Sequence, residues 1–349
     1  MGSLAESTRK RRTKLRYLPD SVPGYGRVKR GRGFYYVDCE GNRITDKGKL
    51  ERLRALVIPP AWKSVWISPS KRGHLQATGV DEEGRKQYSY HPAWTAERQQ
   101  KKLKRMVAFG KVLPHIRQRI DDDLQHGAFV KEKAIALALK IMEETLMRVG
   151  NEQYRRRYGS HGLTTLKKKH LHISKNTLVF RFRGKKGVWQ EISVCNAKLA
   201  ADLSEMRQLP GAYLFQYIDE EGKKRRLDAA DINGYIQQHA DGGFSSKDYR
   251  TWYAGVWAFR LFAQCMPYAS ERECRANILS VLDVVSQRLG NTRTVCKQYY
   301  VPDRLIGAYE DGTLLPYLQR SFGNGAQTVE ETERQLLAFL RQAVSSDTC

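Results

Sequence analysis

Apolar residues recur along this chain in two rhythms, and the change between them divides it. From Phe34 to Tyr90, short β-type runs alternate with turns. Phe34-Tyr-Tyr-Val37 leads into Glu40-Gly-Asn42, Val65-Trp-Ile67 into Ser68-Pro-Ser70, and His74-Leu-Gln-Ala77 into a further turn. Between them, Asp46 to Leu56 has helical spacing and ends before Pro59-Pro60. This pattern predicts a small β-rich domain holding a helix or two. Near His91-Pro92 the pattern changes. Trp94 to Ala108 is charged and helical, carries Lys101-Lys102-Leu-Lys104-Arg105, and reads as a linker into a second, mainly helical domain. Lys131 to Arg148 places Ala134, Ile135, Ala138, Leu139, Met142 and Leu146 at helical spacing and stops at Gly150. Glu271 to Leu289 behaves alike and stops at Gly290, as glycine accepts the left-handed conformation that closes a helix.

One β interruption lies inside the helical half. Gly162–Leu166, His170–Ile173, Thr177–Phe182 and Val188–Ile192 are strand-like, and Gly184-Lys185-Lys186-Gly187 suits a hairpin turn between the last two. The predicted fold is therefore α+β: a small β-rich N-terminal domain and a mostly α-helical domain with a short antiparallel sheet. The expected organisation is a basic flexible arm over 1–25, a β-rich clamp domain over 26–95 and a helical catalytic domain over 96–349.

Composition narrows the partner. The 349 residues carry 61 Lys and Arg against 37 Asp and Glu, a formal net charge of +24, so a polyanion is the natural counterpart and nucleic acid the commonest one. A histone-like or ribosomal protein fits less well, because aromatic residues make up 10% of the chain. The six cysteines (Cys39, Cys195, Cys265, Cys274, Cys296 and Cys349) are scattered without a C-x-x-C pair, which predicts neither disulfides nor zinc and fits a reducing compartment. No apolar run has the length of a membrane span, so the expected location is cytoplasmic, on the nucleoid, with no membrane partner.

The chemistry is bounded first by what is missing. There is no G-x-x-x-x-G-K-[ST] phosphate loop and no zinc spacing, so neither a nucleotide nor a metal cofactor is expected. Asp121-Asp-Asp123 reads as a solvated helix end, and His170 and His172, two apart on a strand-like run, as neighbours on one face. A nucleic-acid enzyme with neither metal nor nucleotide must neutralise phosphate charge with its own cations and attack with a side chain. Arginine suits the first task through its planar fork. Tyrosine suits the second when the cut must be reversed, because a phenolate leaves far more readily than an alkoxide.

Against that requirement, an ordered set of motifs stands out. Arg148-Val-Gly-Asn151 with Tyr154 is followed by Gly162-Leu-Thr-Thr-Leu-Lys167-Lys-Lys-His170. Phe182-Arg-Gly-Lys185, Lys247-Asp-Tyr-Arg250-Thr, Leu289-Gly-Asn291-Thr and Lys297-Gln-Tyr-Tyr300 then come in turn. Each fragment alone is ordinary: Arg148 and Arg250 could be helix-face cations, Asn291 a helix stop, Tyr300 a packing residue. Together they resemble the type IB DNA topoisomerases of the poxvirus and bacterial kind. Ile58-Pro-Pro-Ala-Trp62 and Gly84-Arg-Lys-Gln87-Tyr-Ser-Tyr-His91 are similar to the bacterial branch, so the resemblance spans roughly 25–340.

The resemblance implies that Tyr300 attacks the scissile phosphate to form a 3′-phosphotyrosyl link. It implies that Arg148 and Arg250 bind the non-bridging oxygens, that Lys185 at the hairpin tip protonates the departing 5′ oxygen, and that Asn291 donates to a non-bridging oxygen where the poxvirus pattern has histidine. Tyr300 is preferred to Tyr299 by its distance from Asn291 in the family pattern. Lys186 stands where the viral pattern has an acidic residue. Candidate DNA contacts are Tyr154, Lys167, Lys169, His170 and Lys247, with Arg85, Gln87, Tyr88 and Tyr90 nearest to base edges. The clusters Arg155–Arg157, Lys167–Lys169 and Lys223–Arg226 read as phosphate-tracking and imply salt-dependent binding. The expected activity is relaxation of supercoiled double-stranded DNA by a monomer without ATP or obligatory metal. The alternatives are a tyrosine site-specific recombinase and a non-catalytic DNA-binding protein.

Overall fold

The computed structural model describes residues 14–322 and 328–346. Lys10, Arg11 and Arg12 of the expected arm, and Cys349, lie outside the described residues. The chain divides into two compact units, one ending at Gln100 and the other starting at Lys101.

The first unit is a five-stranded antiparallel sheet built from β1 (Tyr25–Arg30), β2 (Gly33–Val37), β3 (Lys63–Ile67), β4 (Leu75–Val80) and β5 (Lys86–Tyr90), in the order β2-β1-β3-β4-β5. Helix α1 (Lys47–Ala55) joins β2 to β3 and is capped by Asp46, whose carboxylate accepts from the Lys49 N–H. Tyr36, Leu53, Val65, Ile67 and Ala77 form its core with Ile44 and Ile58. Within the expected arm over 1–25, the described residues from Arg16 on make contacts with the sheet. Arg16 already bridges to Gly73, the Tyr17 ring stacks on His74 at 4.2 Å, and β1 begins at Tyr25.

The segment read as a charged, helical linker is helical. Helix α2 runs unbroken over Pro92–Asp123, through Pro114 and across the division between the units. In the second unit, α3 (Lys131–Thr145) and α4 (Glu152–Tyr158) precede a three-stranded antiparallel sheet of β6 (Leu171–Ser174), β7 (Thr177–Arg183) and β8 (Trp189–Cys195). Then follow α5 (Ala197–Met206), the hairpin β9 (Gln216–Ile218) and β10 (Lys224–Arg226), and α6 (Ala229–Gln238). The rest is helical: α7 (Ser246–Gln264), α8 (Glu271–Leu289), α9 (Arg293–Tyr299), α10 (Asp303–Glu310), α11 (Leu315–Phe322) and α12 (Val329–Ser346). Helix α7 is the buried axis, with Tyr249, Trp252, Phe259 and Phe262 inside. Helix α2 approaches it at Gly110, where an added Cβ would lie 2.4 Å from the Trp252 ring. The architecture is the expected α+β one.

Three local expectations are corrected. Gly162–Leu166 is a 3-10 turn over Leu163–Thr165, not a strand, because the Thr165 hydroxyl accepts from the Gly162 N–H and closes the turn on itself. Helix α3 ends at Thr145 rather than Arg148. Leu146 takes a left-handed φ of 52°, and the Thr145 hydroxyl donates back to Ile141 O and accepts from the Met147 N–H. His170 and His172 do not share a face: His170 sits in a 3-10 turn and His172 on β6.

Candidate active site

The site begins with the backbone that carries Arg148. Once α3 has stopped, residues 148–150 have no regular structure and lean on the 3-10 turn: Leu163 N–H donates to Arg148 O, and Thr164 N–H to Val149 O, both at 2.9 Å. This pairing demands two glycines. Gly150 has φ +90°, and a Cβ on Gly162 would fall 2.6 Å from both Arg148 O and the Gly150 Cα. The glycines of the two motifs are therefore one structural feature, a backbone-on-backbone contact that sets where Arg148 starts. Gly162→Ala is expected to cost about 1–3 kcal/mol of stability, as overpacking against fixed backbone does. Its single-turnover DNA cleavage rate should fall more than its DNA affinity. Thermal denaturation with a cleavage time course checks this; unchanged cleavage would mean that Arg148 does not need this seat.

The two arginines are then held by helix ends. Helix α8 closes at Gly290 in the left-handed conformation (φ 58°), and the Asn291 N–H reaches back to Ser286 O at 2.9 Å. Its last carbonyls are thus free of intrahelical partners. Arg250, in the first turns of α7 and 4% exposed, donates to Leu289 O at 2.8 Å and to Leu146 O at the end of α3. Arg148 donates to Gly290 O at 2.9 Å and to Asn291 Oδ1 at 2.5 Å. Two helix C-termini, each the negative end of its dipole, thus converge on these guanidinium groups. Neither arginine forms an ion pair with a carboxylate among the described residues, whereas Arg85, Arg105, Arg117, Arg155, Arg181, Arg225, Arg226 and Arg293 all do. Carbonyls orient a cation without cancelling its charge. Burial lowers the pKa of both, with the Tyr300 phenol opposing, yet a guanidinium keeps its proton at neutral pH.

Tyr300 follows α9 and faces this pair, with its ring centroid 5.6 Å from the Arg250 Cζ. Burial alone would raise the phenol's pKa. The charges of Arg250 and Arg148, with polar contacts from the Arg250 and Asn291 side chains, outweigh burial and hold it below the ordinary phenol range. The Asn291 Nδ2 is buried and makes no complete hydrogen bond in the protein. Tyr299, by contrast, is half exposed.

Arg148, Arg250, Asn291 and Tyr300 are therefore brought together. No contact joins Lys185 to them among the described residues; it is exposed in the turn between β7 and β8. The stalk of that hairpin does reach the site. Gln190 of β8 lies against both Gly184 and Gly290, so that Cβ atoms added there would sit 2.9 Å from its Cγ and 3.0 Å from its Oε1. Sequence reading passed over Gln190. The strand alternation that exposes Trp189 and turns its neighbour inward was the available signal.

The expected DNA contacts are dispersed. In the second unit, Tyr154, Lys169 and Lys247 are exposed. His170 Nδ1 accepts from the Lys167 N–H at 3.0 Å, and burial, followed by the His161 ring and nearby lysines, pushes its pKa down to about 4. It is neutral near pH 7 and serves as a hydrogen-bonding group rather than a cation. In the first unit, Tyr88 and Tyr90 of β5 are exposed and stack at 6.1 Å, while Arg85 and Gln87 both bond to Asp81. The basic clusters are partly committed. Glu152 collects Arg155, Arg156 and Arg226, which hold its carboxyl down to about 2, and Lys168 donates to Leu209 O. Asp123 accepts from the buried Tyr235 hydroxyl at 2.6 Å, and Asp121 pairs with Lys140. Among the described residues no group of three or more His, Cys, Asp or Glu could hold a metal ion, and no helix is long and apolar enough to cross a membrane.

Comparison with known proteins gives the following. Residues 89–311 match the family described as eukaryotic DNA topoisomerase I, catalytic core, and residues 33–81 the family described as bacterial DNA topoisomerase IB, N-terminal domain. DNA topoisomerase 1B of Acanthamoeba polyphaga mimivirus is 30% identical over 297 residues, covering 83% of this chain and 88% of the relative. DNA topoisomerase 1B of Vaccinia virus (strain Copenhagen) is 23% identical over 255 residues, 70% of this chain and 75% of the relative. Among solved structures, the XerH site-specific recombinase bound to a palindromic difH substrate aligns at 14% identity and a TM-score of 0.35 over 60% of this chain and 51% of that one.

Proposed function

The chain belongs to the type IB DNA topoisomerase family, and from that premise we propose that it relaxes supercoiled double-stranded DNA through a covalent intermediate on Tyr300. Tyr300 gives up its phenolic proton to water, its oxygen attacks the scissile phosphorus, the bond to the 5′ oxygen breaks, and a 3′-phosphotyrosyl ester remains. The departing 5′ oxygen takes its proton from Lys185, which the β7–β8 turn presents to the DNA. Arg148 and Arg250 take the non-bridging oxygens as charge builds on them, and the unpartnered Asn291 amide donates to one of the same oxygens. While the link lasts, the cut strand swivels about its complement. The 5′ hydroxyl then attacks the phosphotyrosine, returns its proton to Lys185 and expels the phenolate. The ester keeps the energy of the broken phosphodiester, so no nucleotide is consumed.

The observation that carries this reading is the pair of carboxylate-free guanidinium groups facing one phenol. Arg117, by contrast, is paired with Glu333 and Glu143. Arg27 and Arg52 are also held by carbonyls without an acid, so it is the convergence of two such groups on a phenol whose pKa they lower that carries the reading. We further propose that the enzyme works as a monomer on the nucleoid, that 26–95 serves as the DNA clamp, and that Arg85, Gln87, Tyr88 and Tyr90 approach base edges while Tyr154, Lys167, Lys169, His170 and Lys247 contact the backbone. The test is incubation with supercoiled plasmid in EDTA, followed by detergent trapping. Relaxation of both positive and negative supercoils without metal or ATP is expected, with protein attached to the 3′ end of the nick. Strand exchange between two duplexes in place of relaxation would favour a recombinase, and binding without an adduct a non-catalytic protein.

A further inference from the structure

The basic run Lys101-Lys102-Leu-Lys104-Arg105 splits by face once α2 is folded. Lys101 and Lys104 are exposed. Lys102, half-buried, and Arg105, exposed but paired, lie one helical turn apart and both bond to elements that carry the proposed catalytic residues. Arg105 forks onto the Asp248 carboxylate at 2.5 and 2.8 Å, and Asp248 caps α7 two residues before Arg250 by accepting from the Ser245 N–H. Lys102 makes a different bond. Its Nζ donates at 3.2 Å to the carbonyl oxygen of Val301, the residue after Tyr300.

That carbonyl matters because of how Tyr300 is held. The Tyr300 and Val301 N–H groups both donate to Cys296 O, at 3.0 and 3.1 Å, so the turn leaving α9 is closed on its helix side. Val301 itself is fully buried. On the other side, the bond from Lys102 ties the Val301–Pro302 peptide, one residue past the nucleophile, to α2. A lysine is an expensive way to satisfy one carbonyl, since burying an ammonium costs several kcal/mol unless it is compensated. A bond to a neutral carbonyl from a cation is stronger than one from a neutral donor, and it fixes the turn in a single orientation. We propose that Lys102 is a positioning residue for the nucleophile: its ammonium group clamps the Tyr300–Val301 turn so that the phenol faces Arg148 and Arg250. This proposal rests on Tyr300 being the nucleophile.

The groups that face Lys102 give the clamp a pH limit. Burial is the largest influence and lowers its pKa; Asp303 of α10 and Cys296 of α9 oppose this, while Lys247 of α7 adds to it, and the result is about 8. The folded value is thus below that of free lysine, and the ammonium is lost as pH rises through about 8. An arginine at this position keeps its charge through that range.

The experiment compares Lys102→Met and Lys102→Arg with the parent, full length, on a nicked-release duplex under single turnover. Lys102→Met removes the bond at nearly constant volume. Cleavage is expected to slow by roughly 10²-fold, the cost of about an ångström of misplacement at a reacting atom. DNA affinity should not change, and thermal stability should change little, because the stranded Val301 carbonyl offsets the removal of a buried ammonium. Lys102→Arg should restore most of the rate, and its rate relative to the parent should rise between about pH 7 and 9 as the lysine loses its proton. Cleavage by Lys102→Met at the parent rate, parallel loss of affinity and rate, or an arginine variant no faster than the methionine one would each overturn the proposal. If Lys102→Met does not fold, the pH dependence of the Lys102→Arg to parent ratio decides alone, and a flat ratio overturns it. Tyr300→Phe, run alongside, separates the two readings: an adduct that persists there removes Tyr300 as nucleophile, whatever Lys102 does.

Discussion

Tyr300→Phe should abolish plasmid relaxation and leave no trapped adduct, a loss of at least roughly 10⁴-fold, while the protein folds and binds DNA as before. The substitution removes one oxygen and keeps the ring beneath Arg250, so the packing of the turn after α9 is preserved. What disappears is the atom whose proton affinity Arg250 and Arg148 lower against the opposing effect of burial. Tyr299→Phe is the matched control. It sits one residue earlier, half exposed and within α9, and should retain relaxation. Detergent-trapped protein–DNA product on a gel reads both variants. An adduct in Tyr300→Phe that vanishes in Tyr299→Phe would move the nucleophile by one residue and undo the geometric case for the site.

Much of the frame was visible before folding. The strand runs near Phe34, Val65, His74 and Thr177 and the helices over Asp46–Leu56 and Glu271–Leu289 follow from alternation, helical spacing and stop signals that act within a few residues. The sequence also carried the α8 stop at Gly290. It could not say what that stop is for, because the carbonyls freed there are taken by Arg250 and Arg148, 39 and 142 positions away. The pairing of Gly150 with Gly162 is similar. Each glycine looks like an ordinary turn residue, and only the close approach of two backbones explains both. The strand expected at Gly162–Leu166 failed for a local reason: its threonines favour a strand, but the Thr165 hydroxyl takes the Gly162 N–H that a neighbouring strand would have needed.

The candidate site itself was legible through resemblance, not through periodicity. Arg148, Arg250, Asn291 and Tyr300 occupy a helix exit, a helix entry, a helix stop and a post-helix turn, and no local rule links such positions. Charge patterning was misleading in detail. Lys102 and Arg105 looked like part of a charged linker helix, and Arg155 and Arg226 like phosphate contacts, until folding supplied Val301 O, Asp248 and Glu152 as partners. A count of lysines and arginines gives the field of the molecule; which cations remain available to DNA depends on where the carboxylates fall.

On the proposed mechanism Arg250 is a principal catalytic cation, and its removal should show it. Arg250→Ala is expected to slow single-turnover cleavage by about 10³- to 10⁵-fold, the range seen when an arginine is taken from a phosphoryl transition state. The same change strands the Leu146 and Leu289 carbonyls, each worth about 1–3 kcal/mol when buried without a donor, so a lower melting temperature will accompany it. Arg250→Lys separates the two effects. It keeps a charge and one carbonyl bond, and so should fold, but a single ammonium cannot serve two helix ends and a phosphoryl oxygen together. Its cleavage should remain at least about 10²-fold slow while affinity holds. Arg148→Ala releases only Gly290 O and the Asn291 carboxamide, and should cost about 10²- to 10³-fold in cleavage with a smaller loss of stability. Cleavage time courses at saturating protein, set against anisotropy titrations of the same duplex, give rate and affinity separately. Losses confined to the rate fit groups that act on charge as it develops. Equal losses in rate and affinity would make both arginines anchors for the ground-state phosphate, and the freedom of their charge from carboxylates would then serve binding alone.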